Sequence, residues 1–126
     1  MAAGRYSFTI EQGATLNLEL QYKDASGNSI DLTDYSGKMQ IRPSVASSTV
    51  YITLSSSLQA DGTGLNFSGS NGTTPPSSGS IGVYISAASS SLLSFDTGVY
   101  DLEIASGSFV SRILEGQVKL SLNVTR

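Results

Sequence analysis

The sequence predicts an all-β chain, about seven to nine short strands packed as two antiparallel sheets. Three observations carry that prediction. Apolar residues recur at every second position in short runs, as in Leu16, Leu18, Leu20 and Tyr22 and again in Tyr100, Leu102 and Ile104, which is the period of a strand buried on one face. The intervals between these runs are filled by Gly, Ser, Thr, Asn and Asp, the residues that turn a chain. At 126 residues the sequence suits one domain spanning 1–126, in which folding hides about two-thirds of the surface that the unfolded chain exposes.

Tyr6, Phe8 and Ile10 alternate with Ser7, Thr9 and Glu11, so residues 5–11 predict a first strand with its apolar side on even positions. Gln12-Gly13 interrupts it, and the leucines from Leu16 onward predict a second strand with Thr15, Asn17, Glu19 and Gln21 outward. Residues 24–28 read as a turn, because Asp and Asn bond their own backbone and Gly supplies positive φ. Asp31 and Asp34 sit in a short bend, and Met39 and Ile41 then face inward from a third strand over 38–42. Pro43 has no backbone N–H and ends it.

Val50, Ile52 and Leu54 predict the next strand, and Asp61-Gly62-Thr63-Gly64 turns the chain into Leu65-Asn66-Phe67. Residues 68–80 hold Ser, Gly, Asn, Thr and Pro75-Pro76 and otherwise no apolar side chain. A segment with so little burial to offset its ordering is expected to be a long exposed loop or interaction arm. Ile81, Val83 and Ile85 return the chain to the sheet, and residues 86–93 predict one helical turn, capped by Ser86, that sets Leu92 and Leu93 against the sandwich.

The last quarter, 98–124, reads as a closing hairpin. Tyr100, Leu102 and Ile104 form its first arm, and Val110, Leu114, Val118, Leu120, Leu122 and Val124 share the inward parity of the second. Arg112 shares that parity too, and an unpaired buried guanidinium is too costly to leave. A β-bulge or an ion pair must resolve it: Glu115 becomes a partner only if a bulge changes its facing, and Gly116 is the residue that suits a bulge. Structural pairing of Arg112 is expected ahead of an interface role.

Two packed antiparallel sheets of this kind fit an immunoglobulin-like β-sandwich, although a small barrel or jelly roll has much the same pattern. The absence of Cys and Trp removes the core marker of antibody domains, and it also excludes disulfides and thiolate chemistry. With no His either, the usual base near neutral pH and the commonest metal ligand are missing. A formal charge of -3 and a low charged fraction argue against a nucleic-acid partner. No run approaches the ~20 apolar residues of a membrane span, and no leader-like apolar segment opens the chain, so a soluble protein made in the cytoplasm is expected.

Candidate sites are few. Asp61-Gly62-Thr63-Gly64 and residues 24–28 lack the spaced oxygens and closing Glu of a calcium loop and read as plain turns. Asp101 and Glu103 alternate with Tyr100, Leu102 and Ile104 and are expected outward and solvated, while Asp31 and Asp34 are expected to accept backbone N–H bonds within their bend. The Tyr residues are scattered, with Tyr35 and Tyr100 expected at core edges, and without a stacking platform glycan binding is disfavoured. No catalytic, metal or cofactor-binding set is predicted.

Three stretches together carry a family resemblance: Phe8-Thr9-Ile10-Glu11-Gln12-Gly13-Ala14-Thr15-Leu16, then the run from Tyr22 through Asp31-Leu32-Thr33-Asp34-Tyr35 to Arg42, then Gly98-Val99-Tyr100-Asp101-Leu102-Glu103-Ile104 followed by Arg112-Ile113-Leu114-Glu115-Gly116-Gln117-Val118. In order and spacing the chain resembles small structural proteins of tailed bacteriophages; residues 44–80 depart most from them. The resemblance implies an immunoglobulin-like virion module without enzymatic activity, a tail or baseplate component or fibre adaptor that contacts other virion proteins in many copies. A capsid decoration or neck protein is the alternative, and a carbohydrate-binding module for host attachment is the reading of a different class.

Overall fold

Gln12-Gly13 separates two alternating runs, and the chain uses that break to change sheets. In the computed structural model, which describes residues 4–23, 26–69, 73 and 75–122, β1 (Gly4–Arg5) and β2 (Phe8–Glu11) lie along one edge of a larger sheet, and β3 (Leu16–Gln21) begins a smaller one. Gly13 makes the crossing with φ 82°, its N–H held by the Ser90 hydroxyl at 3.1 Å. The chain continues through β4 (Ser36–Arg42), β5 (Ile52–Ser55), β6 (Gly64–Asn66), β7 (Ser80–Ile85), the short helix α1 (Ala87–Ser91), β8 (Thr97–Ser106) and β9 (Phe109–Ser121).

The protein is an all-β sandwich. The larger sheet has six strands in the order β1-β9-β8-β4-β5, with β2 also on β9, and the smaller has three in the order β3-β7-β6. The expected all-antiparallel arrangement needs one correction: β1 and β2 run parallel to β9, while the other neighbours are antiparallel. Period-two alternation says which side of a strand is buried and nothing about which way its neighbour runs. Between the sheets lie Ile10, Leu32, Met39, Ile41, Leu54, Leu65, Ile81, Ile85, Leu102, Ile104, Val118 and Leu120, all essentially inaccessible. Leu16, Leu18 and Leu20 are only half-buried, because β3 is an edge strand.

The closing hairpin contains a bulge, although Gly116 is not its source. Leu102 stands opposite Leu114 and the next residue, Glu103, opposite Arg112, so Ile113 is the extra residue. Facing reverses there: Leu114, Val118 and Leu120 keep the inward parity, whereas Arg112 turns to the outer face and Ser111 takes the place opposite Ile104. Val110, expected inside, is therefore 58% exposed, and Leu122, beyond the end of β9, is 61% exposed. Val124 lies outside the described residues.

Two other expectations change. Ser80 belongs to β7 rather than to a free loop, and residues 76–79 just before it are tied down: Pro76–Ser78 form a 3-10 turn, the Tyr22 N–H donates to the Gly79 carbonyl at 2.8 Å, and the Gln21 amide donates to the Ser78 carbonyl. Residues 70–72 and 74 lie outside the described residues, as do Asp24 and Ala25 of the 24–28 turn. Ser86 caps α1, accepting the Ser89 N–H at 3.1 Å, but only Leu93 reaches the core; Leu92 is 83% exposed.

Candidate functional site

Each strand of the larger sheet buries one set of side chains and must present the other, and on the outer face the presented set is charged. β4 alternates buried Gly37, Met39 and Ile41 with Lys38, Gln40 and Arg42, and β8 alternates Gly98, Tyr100 and Leu102 with Val99, Asp101 and Glu103. β9 contributes Arg112 above its bulge and Glu115 and Gln117 below it, and β1 contributes Arg5. Together these residues line an open concavity of about 660 Å³.

The pairing register arranges them in rows across the sheet. Lys38, Glu103 and Arg112 stand side by side in one row, Gln40, Asp101, Glu115 and Arg5 in the next, and Arg42, Val99 and Gln117 in the third. The first row alternates in sign, which is favourable between neighbouring strands; the second sets two carboxylates, Asp101 and Glu115, directly opposite each other, which is not. Arg112 offsets this from the adjacent row, its guanidinium 3.7 Å from the Asp101 carboxylate. Both side chains are about half exposed, so the pair contributes less than ~1 kcal/mol. Arg42 is held more firmly, donating to the Ser47 carbonyl at 2.7 Å and to Gln40 Oε1 at 2.8 Å.

The residues singled out from sequence thus divide. Arg112 and Glu115 belong to this face, but Arg112 pairs with Asp101, not Glu115. Gly116 stands opposite Tyr100 and marks a close approach rather than a bulge: a Cβ there would overlap the Tyr6 carbonyl oxygen. That carbonyl accepts the Tyr100 hydroxyl at 2.5 Å, and the Tyr6 N–H donates to the Glu115 carbonyl at 3.0 Å. Burial, with the nearby Tyr6 phenol as a smaller cause, pushes the Tyr100 hydroxyl well above its usual range, so it stays a donor.

No protein-family model and no curated protein sequence matches the chain.

Asp31 and Asp34 stand apart from the charged face, in the β3–β4 connection. Asp31 accepts the Thr33 hydroxyl at 2.6 Å and the Thr33 N–H at 2.9 Å, and these bonds hold its carboxyl below the usual range. Asp34 acts through its backbone instead, with φ 66°, a left-handed conformation that Asp tolerates better than most residues.

Asp61 carries more structure than its turn sequence suggests. Its carboxylate accepts the Ser86 hydroxyl at 2.6 Å, the Ser89 hydroxyl at 2.9 Å and the Thr63 N–H at 3.0 Å, and the Thr63 hydroxyl in turn accepts the Ser86 N–H at 3.1 Å. The carboxyl is held far below the usual range, with the Ser86 bond the largest cause. This network ties the β5–β6 connection to the start of α1. Asp-x-Thr is a local turn signal, but the serines lie 25 and 28 residues away, where no local pattern reaches.

Among the described residues, no group of three or more His, Cys, Asp or Glu stands close enough to hold a metal ion. The charged face holds guanidinium, ammonium, carboxylate and amide groups on rigid strands.

Proposed function

We propose that the chain is a non-enzymatic structural module of a tailed-phage virion, an immunoglobulin-like tail or baseplate component or fibre adaptor that works through protein–protein contacts. The observation that carries this reading is the charged outer face of the six-stranded sheet, where Lys38, Glu103, Arg112, Asp101, Glu115 and Arg5 stand in ordered rows on four strands. A neighbouring protein with the opposite pattern of charge gains specificity from it more than raw affinity, and many copies in one particle multiply weak contacts. Such a module is made in the host cytoplasm and resides in the virion.

The immunoglobulin-like type is supported by the strand order, with β3-β7-β6 against β9-β8-β4-β5 and an early strand running parallel to the last. The virion context is supported by the sequence resemblance over 8–16, 22–42, 98–104 and 112–118. Electron microscopy of purified particles carrying a gold label on this chain tests the proposal. Label at the tail or baseplate is expected, label over the capsid lattice favours the decoration or neck role, and absence of the chain from particles overturns the virion reading.

A further inference from the structure

Among the described residues, β3 stands at the edge of the smaller sheet and its backbone ladder is on one side, with β7. It differs from the other edge strands of the sandwich. β6 has three residues and β5 four, and the β1–β2 edge is broken at Tyr6-Ser7, whereas β3 runs six residues without Pro or Lys and pairs with β7 in unbroken register. Natural edges are usually blunted by such residues, by bulges or by shortness, because an unblunted one is a template for another strand. Its inward residues Leu16, Leu18 and Leu20 are also only half-buried, so apolar surface remains to be covered beside that edge.

We infer that β3 is a self-association edge, pairing antiparallel with β3 of a second copy about a two-fold axis at Leu18, so that two three-stranded sheets become one of six. The sequence of β3 selects the occupant and the register. With the axis at Leu18, Leu18 meets its own counterpart, Leu16 meets the second copy's Leu20, and Asn17 meets the second copy's Glu19. Moving the axis to Glu19 sets two carboxylates opposite each other, and moving it to Asn17 leaves Glu19 and Leu20 without strand partners in addition to Gln21, the one β3 residue that the Leu18 axis leaves over. A one-residue slip turns the leucines of one copy to the solvent side of the other.

Backbone direction agrees. The Tyr22 N–H donates to the Gly79 carbonyl, continuing the β3–β7 ladder, so even-numbered residues turn their N–H and C=O toward β7 and odd-numbered ones toward the outer edge. Leu18 and its counterpart then form a non-hydrogen-bonded pair, with Cα atoms about 4.5 Å apart. That spacing lies within disulfide range.

The chain has no cysteine, so Leu18→Cys introduces the only thiol. Under mild oxidation it is expected to give a covalent dimer, whereas Leu20→Cys alone does not, because its neighbour across the axis is Leu16. In sedimentation equilibrium Asn17→Glu adds two carboxylate pairs and weakens the dimer about tenfold, and Asn17→Lys tightens it by a similar factor. A wild-type chain that stays monomeric at every concentration, a dimer indifferent to both Asn17 variants, or cross-linking by Leu20→Cys in place of Leu18→Cys overturns the inference. Cross-linking in solution decides whether the edge pairs, and label position on particles decides the virion role, so the two can fail separately.

Discussion

Gly116→Ala is the substitution with the largest effect for the smallest change in volume. A Cβ at this position would overlap the Tyr6 carbonyl oxygen, lie 2.7 Å from the carbonyl carbon and lie 3.2 Å from the Tyr100 ring. Two of these atoms are backbone, so no rotamer change relieves the contact, and the β1–β2 connection must lift off β9. It then loses the Tyr100 hydroxyl bond to the Tyr6 carbonyl and the Tyr6 N–H bond to the Glu115 carbonyl. Each bond contributes about 1 kcal/mol net, and stranding the hydroxyl of Tyr100, a residue only 5% exposed, adds about 1–3 kcal/mol. The expected loss is about 3–5 kcal/mol, a large part of the roughly 5–15 kcal/mol that stabilises a domain.

Urea denaturation followed by far-ultraviolet circular dichroism measures it. Tyr100→Phe supplies the second half of a double-mutant cycle: alone it costs about 1 kcal/mol, and in the Gly116→Ala background it recovers about 1–3 kcal/mol, because the bond is already broken and the stranded hydroxyl is removed with the substitution. A Gly116→Ala protein within about 0.5 kcal/mol of wild type, or costs that simply add, would refute the clamp.

The bulge at Ile113 is checked by two aspartates: Val110→Asp, on an exposed side chain, should stay within about 0.5 kcal/mol of wild type, whereas Val118→Asp buries an unpaired charge and should unfold the protein. Arg112→Met should change stability by less than about 1 kcal/mol, and a loss above about 2 kcal/mol would mean that the exposed pair with Asp101 is misjudged. The depressed carboxyl of Asp61 predicts the sign of the acid response. Its pKa is lower folded than unfolded, so its contribution is complete above the unfolded value of about 4 and disappears as pH falls through the lower folded value. Asp61→Asn should therefore flatten the acid limb of a stability-versus-pH curve, and an unchanged limb argues against the network with Ser86 and Ser89.

Where one face of a strand is buried throughout, the sequence is a reliable guide to that strand. β3 and β8 follow their alternation, while central β7 buries Ser80 and Gly82 as well as its aliphatic residues, and Ser86 announces the cap of α1 because a cap is a local hydrogen bond. The features without a local signal are non-local. The parallel pairing of β2 with β9 joins the two ends of the chain, and the Asp61 network joins two connections, so neither leaves a periodic mark. Arg112 is conspicuous because its charge contradicts its parity, but Gly116 points the bulge to the wrong place. A glycine serves equally a bulge or a close backbone approach, and only the Tyr6 carbonyl above it distinguishes the two.

The extra residue at Ile113 does two things that a regular strand cannot do together. Below it, Leu114, Val118 and Leu120 need the inward parity to meet Leu102 and close the core. Above it, the same parity would send Arg112 inward beside Ile104, where a guanidinium has no partner among the surrounding aliphatic side chains. Inserting one residue exchanges Arg112 for Ser111 at that position, and the released guanidinium completes the row with Glu103 and Lys38 while reaching Asp101 in the row below. Deleting Ile113 would leave Leu114 opposite Leu102 and Arg112 opposite Glu103 in a regular ladder, so it should keep the core parity and the charged row and remove only the bulge and the packing of Ile113 itself.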